Sequence, residues 1–415
     1  MLSIALICLC ANFMATADFY WESGKPKHSN SGIQFLIPLT NQENFAYFTS
    51  VNLGTPPQSF NLSIDTAGYR ILVPDKDCES CTDFTNFFIP YDSDTYQGPF
   101  QTIRVNFSED EYVIGNLSSE TTSLGSETIA VAEAQSFLLI EEDNQVKFEK
   151  DGLFGLGFNL DDDTPTYIQT LAYQQVIKSP IFSLFLSNIN RKNQPASTLI
   201  IGGTDDRFSE GSFTYLELAD FRGYWEINIT EISDPIRPMP IRGETAIIDS
   251  RAAMIWGPSA YIDQILYYFQ EKFGCTGKYL LCKCDGEIDY PDITFTLEGN
   301  KYPVSYKSYF QFFSNQTCML MIYSHNLTVW ILGVPFLREY YSAYDMENLQ
   351  IYLAPALKGD NESDSKKRLW VIIIVVIFAL FSIAAVGLVS YCFYKKKRNP
   401  KKMLYKSIAM SCAMT

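Results

Sequence analysis

The sequence predicts an all-β, bilobal ectodomain with a few short helices, followed by one transmembrane helix. Short runs rich in Val, Ile, Phe, Tyr and Thr are punctuated by Gly, Pro, Asn and Asp, a pattern typical of strands. An apolar segment that ends in Asp-Thr or Asp-Ser occurs twice, which indicates two related lobes. Residues 369–393 form an apolar run long enough to cross ~30 Å of hydrocarbon as a helix.

The two ends of the chain predict entry into the secretory pathway and one membrane anchor. Residues 1–17 are predicted to be a signal peptide, because an uncharged apolar stretch is followed by the small-x-small cleavage signal Ala15-Thr16-Ala17. Residues 394–415 form a basic tail after the apolar run, and the positive-inside rule places such a tail in the cytoplasm. We therefore expect a single-pass type I protein at the cell surface or in an endosomal or lysosomal membrane.

The rest of the chain divides into a leader, two lobes and a linker. We place the leader at residues 18–44, the N-terminal lobe at 45–210, the C-terminal lobe at 211–355 and a polar linker at 356–368. The formal charge of −15 argues against nucleic acid as a partner, because both molecules would be negatively charged. We expect a monomer.

Local patterns predict individual elements. Strand-like composition occurs at residues 48–53, 60–64, 181–186 and 198–201. One helix is predicted at residues 258–273, because apolar residues recur there at helical spacing. These residues are Ile262, Ile265, Leu266 and Phe269. We expect this helix to pack on a sheet.

An internal repeat singles out two aspartates. Asp65 and Asp249 each end an apolar segment and are followed by Thr66 and Ser250. At a similar distance downstream, each is followed by two apolar residues and a glycine, at 153–155 and 331–333. Duplication of one β lobe explains this pattern.

Two carboxylates brought together from two lobes would support acid–base chemistry on water. Like charges in contact raise one pKa, so the pair shares a proton. One carboxylate takes a proton from water, which attacks a peptide carbonyl, while the protonated partner donates to the carbonyl oxygen. This chemistry needs neither metal nor cofactor, and we expect none. The only histidines, His28 and His325, disfavour a Ser-His-Asp set or a zinc site.

Residues 45–355 resemble the pepsin-like (family A1) aspartic peptidases. The matching motifs are YFTSVNLGTPPQ at 47–58, DGLFGLGF at 151–158, LIIGG at 199–203, YPDITF at 290–295 and WILG at 330–333. The resemblance implies a two-lobed, mostly β fold and aspartic-type endopeptidase chemistry, with a peptide or protein ligand in the inter-lobe cleft. Zymogens of this family carry a longer basic pro-segment, whereas the basic residues of the leader are only Lys25 and Lys27, so no clear pro-segment is recognised.

By this resemblance Asp65 and Asp249 are the catalytic dyad, and Thr66 and Ser250 retain the hydroxyls that link the two active loops. The family pattern Asp-Thr/Ser-Gly-Thr/Ser is otherwise broken, by Ala67, Gly68, Arg251 and Ala252. The hydroxyls that would bond the outer carboxylate oxygens are thereby lost.

Arg251 replaces a glycine of the family, and a guanidinium there brings five donors and a fixed charge. We expect it to occupy the cleft and to pair with Asp249 or Asp65, which would lower the pKa of that carboxylate. The alternative is an Arg251 that turns out to solvent beside an intact dyad.

By the same resemblance, residues 105–115 correspond to the flap hairpin of the family. Their sequence also differs from the family pattern. Its tyrosine is Phe107, and the tryptophan that partners the tyrosine hydroxyl is Leu72. Replacing both partners of a hydrogen bond by apolar groups can be nearly neutral for stability. The flap turn, which includes Asp110 and Glu111, is acidic rather than glycine-rich. We assign these four residues to the substrate-binding region.

The six cysteines of the predicted ectodomain fit three disulfides in an oxidising compartment. Cys78 and Cys81 form a CxxC pair, but no βαβ context supports a redox motif, so we expect a disulfide. By the family resemblance, Cys282 or Cys284 pairs with Cys318. The alignment to the following Pro-Asp-Ile favours Cys284–Cys318, which leaves Cys275–Cys282.

Asn-x-Ser/Thr sequons predict glycosylation of a secreted surface. The expected sites are Asn106, Asn116, Asn228, Asn315, Asn326 and Asn361. A further sequon at Asn61 lies inside a predicted core strand, so we do not expect it to be used.

The leading interpretation is a membrane-anchored glycoprotein with a pepsin-like aspartic endopeptidase ectodomain, whose degraded motifs leave weak or no activity and whose cleft binds peptides or proteins. The first alternative is an active membrane-anchored aspartic endopeptidase that uses both aspartates. The second is a structural cell-surface glycoprotein with no ligand in the cleft.

Overall fold

The structure, a computed structural model, describes residues 32–359 except 126–127, 160–163, 190, 192, 220–222, 234–237 and 314–315, together with Ile373, Ser390 and Tyr391. Contacts divide the chain into one unit that ends at Gly359 and a second that begins at Asp360. The predicted signal peptide and basic tail lie outside the described residues, and so does the predicted membrane span apart from those three positions. Within the described part, no helix is long and apolar enough to span a bilayer.

The first unit is built mainly of strands, as the composition predicts. Its first half contains β1 (Phe35–Pro38), β2 (Thr40–Gln42), β3 (Ala46–Leu53), β4 (Gln58–Asp65), β5 (Ile71–Pro74), β6 (Gln97–Asn106), β7 (Tyr112–Leu124), β8 (Ile129–Asn144), β9 (Leu153–Gly155), β10 (Ile181–Phe185), β11 (Thr198–Ile201) and β12 (Thr214–Glu217). Its second half contains β13 (Glu226–Ser233), β14 (Pro238–Ile248), β15 (Ile255–Pro258), β16 (Leu281–Lys283), β17 (Ile293–Leu297), β18 (Asn300–Val304), β19 (Phe310–Phe312), β20 (Thr317–Leu320), β21 (Ile322–His325), β22 (Trp330–Leu332), β23 (Tyr340–Asp345) and β24 (Gln350–Pro355). The α-helices of the described residues are α1 (Tyr167–Tyr173), α2 (Ser259–Phe273), α3 (Tyr306–Tyr309) and α4 (Val334–Leu337).

The described strands form two large sheets, a sheet that joins both halves and a small sheet. The first half has an eight-stranded sheet in the order β2-β3-β4-β9-β5-β8-β7-β6. The second half has a seven-stranded sheet in the order β18-β17-β13-β14-β22-β15-β21 and a small sheet β16-β20-β19. The joining sheet has six strands in the order β1-β11-β10-β23-β24-β12.

The two large sheets contain the same four-strand arrangement. In the first, β4 is parallel to β9, β9 is antiparallel to β5, and β5 is parallel to β8. In the second, β14, β22, β15 and β21 repeat these orientations. Gly155 ends β9 and Gly333 follows β22, and a Cβ at either position would collide with backbone of the loop that follows the aspartate. The repeated topology supports the duplication that the sequence pattern predicts.

The end of the predicted leader is part of the folded unit. Strand β1 pairs with β11 in the joining sheet, and β2 pairs with β3. Only Ile37 is buried among the residues of β1, and its partner strand lies far away in the sequence. A local pattern with so few buried positions gives little strand signal, so the sequence alone does not predict β1.

The predicted helix is α2, which begins one residue later than expected. It buries Ile262, Ile265 and Phe269 on one face. The helix ends at Gly274, whose φ of 66° is the left-handed conformation that glycine adopts without strain. The predicted strands at 48–53, 60–64, 181–186 and 198–201 correspond to β3, β4, β10 and β11.

Three disulfides stabilise the unit, in the pairings that the sequence predicts. Cys78–Cys81 lies in the first half, and Cys275–Cys282 and Cys284–Cys318 lie in the second. The last two connect the segment after α2 to the small sheet, where Cys282 and Cys318 stand opposite each other.

Candidate active site

Asp65 and Asp249 stand at equivalent places in the two halves. Asp65 is the last residue of β4, and Asp249 directly follows β14. The Asp65 carbonyl accepts a hydrogen bond from the Leu156 amide at 2.7 Å, and the Asp249 amide donates to the Leu332 carbonyl at 3.2 Å. Each aspartate is therefore fixed by the strand that runs parallel to its own.

Both carboxylates are held by the backbone of the loop that follows them. Oδ1 of Asp65 accepts from the amides of Ala67 at 2.9 Å and Gly68 at 2.8 Å. Oδ1 of Asp249 accepts from the amides two and three residues later, at 2.8 and 3.2 Å. The substitutions at these positions change side chains and leave the backbone bonds to the dyad in place.

A reciprocal set of hydrogen bonds joins the two active loops. The Thr66 hydroxyl donates to the Ile248 carbonyl at 2.8 Å and accepts from the Ser250 amide at 2.9 Å. The Ser250 hydroxyl donates to the Ile64 carbonyl at 2.8 Å and accepts from the Thr66 amide at 3.1 Å. Thr66 and Ser250 are both buried, so this link is shielded from water.

The electrostatics of the dyad favour a shared proton. Burial, followed by the neighbouring Asp65 carboxylate, raises the pKa of Asp249 to about 7. The amides of Arg251 and Ala252 and the Arg251 charge act in the opposite direction and are outweighed. Asp249 thus keeps a proton at acidic pH, beside a second carboxylate that is itself buried.

Arg251 does not pair with either aspartate, which corrects the expectation of an ion pair. Its side-chain Nη2 donates to the Lys147 carbonyl at 3.1 Å. The guanidinium carbon lies 5.0 Å from the centre of the Phe107 ring and 5.9 Å from that of Phe148. The pKa of Asp249 is accordingly raised rather than lowered. The side chain is not turned fully out to solvent either, because it is half-buried beside these groups.

The predicted flap is a β-hairpin formed by β6 and β7. Asn106 pairs with Tyr112, and the amides of Phe107 and Ser108 donate to the Glu111 carbonyl at the turn. Asp110 and Glu111 are exposed there, and no contact brings their side chains to the dyad within the described part of the chain. The Asn144 amide nitrogen donates to the Asp110 carbonyl at 2.7 Å, which fixes the turn against the end of β8.

Phe107 and Leu72 belong to one apolar cluster, as their joint replacement suggests. Leu72 is buried on β5 beside Val113, Leu138 and Leu153, and Phe107 packs against this cluster. Phe107 also meets Phe148 edge to face, with ring centres 5.9 Å apart. Apolar packing therefore takes the place of a hydrogen bond at the base of the flap.

Sequence reasoning missed Lys147 and Phe148, the partners of Arg251. Both lie in the loop after β8, a hundred residues before Arg251 in the chain. The only signal was an aromatic residue, Phe148, within a charged segment. Its ring also packs on Phe84, with centres 4.9 Å apart, which fixes it in place.

The asparagines that are predicted to carry glycans differ in their exposure to solvent. Asn106, Asn228 and Asn326 are exposed, whereas Asn116 is half-buried and its amide contacts Thr102 and Glu141. Asn315 and Asn361 lie outside the described residues. Asn61 is exposed although it lies in β4, because alternate residues of this strand face outward, so burial gives no reason to exclude it.

The arrangement brings a carboxyl with a raised pKa, Asp249, next to a second buried carboxyl, Asp65, which is a pairing that acid–base activation of water can use. It also places a cation and two aromatic rings at the same site. Arg251 starts from the loop of the second half and ends against Phe107 and Lys147 of the first half. The site therefore combines two aspartates that keep their backbone hydrogen bonds with a long side chain that reaches from the second half to the first.

Comparison with known proteins identifies relatives over most of the chain. The family model described as eukaryotic aspartyl protease matches residues 46–356. Embryonic pepsinogen of Gallus gallus is 29% identical over 334 residues, covering 77% of this chain and 83% of that protein. Pepsin A of Callithrix jacchus is 28% identical over 333 residues, covering 77% and 83%. Pregnancy-associated glycoprotein of Equus caballus is 29% identical over 351 residues, covering 80% and 86%.

Proposed function

The chain belongs to the eukaryotic aspartyl protease family, and from its active site we propose a type I membrane glycoprotein whose pepsin-like cleft binds peptides or proteins and hydrolyses them weakly or not at all. The lobes at 45–210 and 211–355 would enclose the ligand. The linker at 356–368 and the helix at 369–393 would tether the ectodomain to a membrane of the secretory route.

The position of Arg251 carries this proposal. A glycine at this point would leave the backbone beside Asp249 open to a ligand, whereas Arg251 extends across to the Lys147 carbonyl and the Phe107 ring. A peptide that reaches the dyad has to displace this side chain or bind around it. Misplacement of a scissile bond by about 1 Å costs on the order of 10²-fold in rate, so binding survives this change better than catalysis.

The loss of two hydroxyls acts in the same direction. Gly68 and Ala252 provide no side-chain donor to the outer carboxylate oxygens. Those oxygens must exchange protons with water and substrate during catalysis, and a missing donor leaves their orientation less well fixed.

One observation favours the rival function, an active aspartic endopeptidase. The dyad keeps its backbone hydrogen bonds, and the pKa of Asp249 is raised to about 7 by burial and by Asp65. A protonated Asp249 beside Asp65 is the state from which water activation starts.

A single experiment separates these functions. The full chain, purified in detergent, is incubated with a diverse peptide mixture from about pH 3 to 7, alongside Asp65→Asn. We expect peptides to be retained by both proteins without cleavage. Cleavage by the wild type that is lost in Asp65→Asn would establish the endopeptidase instead. If peptides are neither retained nor cleaved, the remaining interpretation is the structural glycoprotein.

The membrane anchor has its own test. The apolar run at 369–393 and the basic residues after it support a spanning helix. We expect the protein to stay with membranes after alkaline carbonate extraction and to shift in mass after removal of N-glycans. Release into the soluble fraction would contradict the anchor.

A further inference from the structure

The Arg251 guanidinium has no counter-ion in the part of the chain that the structure describes. Among the described residues, its side chain donates one hydrogen bond, to the Lys147 carbonyl, and no carboxylate lies within ion-pair distance. Its Nε is buried without a partner. The described part of the chain thus satisfies only one of the guanidinium's donor groups, and the side chain is half-buried.

The charge becomes costly when the cleft is filled. A bound peptide excludes water, and a cation that loses its water is destabilised unless its charge and its remaining donors find partners. The ligand can remove this cost only by supplying acceptors. A carboxylate does so best, because its two oxygens match the planar donor fork of an arginine.

The surroundings orient the guanidinium without neutralising it. Phe107 and Phe148 lie 5.0 and 5.9 Å from it, and the two rings meet edge to face. Aromatic faces hold a guanidinium plane and exclude water, while they leave its donor edge open.

The protein's own acids do not occupy this position. Asp83 is paired with the Lys147 ammonium at 2.7 Å. Asp249 accepts from backbone amides, and Glu111 is exposed in the flap turn. None of these three acids pairs with the Arg251 guanidinium.

We propose that Arg251 determines ligand specificity, by selecting peptides that present one acidic side chain, aspartate or glutamate, to the cleft next to Asp249. The carboxylate of the ligand replaces the Lys147 carbonyl as the partner of the guanidinium. This inference rests on the proposed peptide-binding function. The acidic flap turn at 108–111 disfavours a run of acids, so a single acidic residue in an otherwise neutral peptide is the preferred form.

The test uses two peptide pools that differ in one position. Both contain short, neutral, mixed-sequence peptides, with a central Glu in one pool and a central Gln in the other. Binding to the full chain in detergent is measured by equilibrium dialysis at pH 6. We expect the Glu pool to bind about tenfold more tightly, as a charge-assisted bidentate pair implies.

Substitutions at Arg251 test whether the preference for the Glu pool depends on this residue. Arg251→Gln should bind both pools equally, and Arg251→Glu should prefer a matched pool with a central Lys. Lys278→Gln, which removes an exposed cation elsewhere, should keep the wild-type ratio. A thermal melt checks that each variant is folded.

The outcomes distinguish the specificity role of Arg251 from the peptide-binding function of the protein. If the wild type binds both pools equally, or if Arg251→Gln keeps the Glu preference, the specificity role is wrong and the peptide-binding function stands. If the folded wild type binds neither pool, the proposed function fails and the specificity role fails with it.

Discussion

The active loops of the two halves, residues 65–68 and 249–252, start from the same backbone arrangement and have diverged in opposite directions. In each, a carboxylate accepts two amides and a hydroxyl reaches across to the other loop. The first loop has no side chain at Gly68. The second has a long one at Arg251, whose guanidinium carbon lies 5.0 Å from the centre of the Phe107 ring.

This difference separates the side chains that hold the two loops together from those that do not. The hydroxyls of Thr66 and Ser250 satisfy buried backbone groups of the opposite half, so losing either would destabilise the fold. The side chains at positions 68 and 251 take no part in that link. A change of side chain there leaves the four bonds between the loops in place.

We expect the greatest change from Arg251→Gly, which removes the long side chain from the second loop. Removing the side chain frees the flap and opens the approach to Asp249. We expect peptide hydrolysis to increase by about 10²-fold, measured with fluorogenic peptides near pH 5. Combining it with Asp65→Asn should abolish the gain. An unchanged rate would show that the flap or the lost hydroxyls limit catalysis instead.

The next largest effect is on the link between the loops. Thr66→Ala and Ser250→Ala each leave a buried carbonyl and a buried amide without a partner. Each should lower the free energy of unfolding by about 2–4 kcal/mol, measured by denaturant titration.

The symmetry of this link can be measured directly. The double variant should cost less than the sum of the single ones, because the four bonds form one network. A cost confined to one loop would show that the two halves do not contribute equally.

The raised pKa of Asp249 predicts that the stability of the fold depends on pH. Because the pKa of Asp249 is raised from 3.8 to about 7, the folded state keeps a proton that the unfolded state loses between these values. The stability contributed by that proton is present at low pH and falls as pH rises through this window. Asp249→Asn removes the fall, so above pH 7 it should be more stable than the wild type by about 1–3 kcal/mol. Thermal melts from pH 3 to 8 test this, and equal pH profiles would contradict it.

The smallest effect concerns Gly68. A Cβ at this position would lie 2.7 Å from Oδ2 of Asp65, so a side chain can be accommodated only if the loop or the carboxylate shifts. We expect Gly68→Ala to destabilise by about 1 kcal/mol. Ala252→Gly, the matched change in the other loop, should cost no more than about 0.5–1 kcal/mol, through chain entropy. Denaturant titration of both variants compares the two loops, and a stabilising Gly68→Ala would show that the first loop tolerates a side chain.

Much of this molecule is predictable from its sequence because its signals are local or repeated. The strands around Asp65 and Asp249 appear as apolar runs, and α2 appears through the spacing of Ile262, Ile265 and Phe269. The family resemblance supplies the disulfide partners of Cys275 and Cys318.

The rest depends on contacts between distant segments. The course of the Arg251 side chain depends on Phe148, which a sequence pattern cannot place beside it. Strand β1 has only Ile37 buried, and its identity follows from pairing with β11. Asn61 was assigned to the core from its strand, whereas the face of a residue depends on register.

The joining sheet has a consequence for synthesis. Strands β23 and β24, which lie at the end of the first unit, insert between β10 and β12 of the first half. While the nascent chain is shorter than 355 residues, β12 has no neighbour and one edge of β10 stays open. Open strand edges recruit other chains. A chain that is truncated before Pro355 therefore leaves strand edges unpaired and should be prone to aggregate.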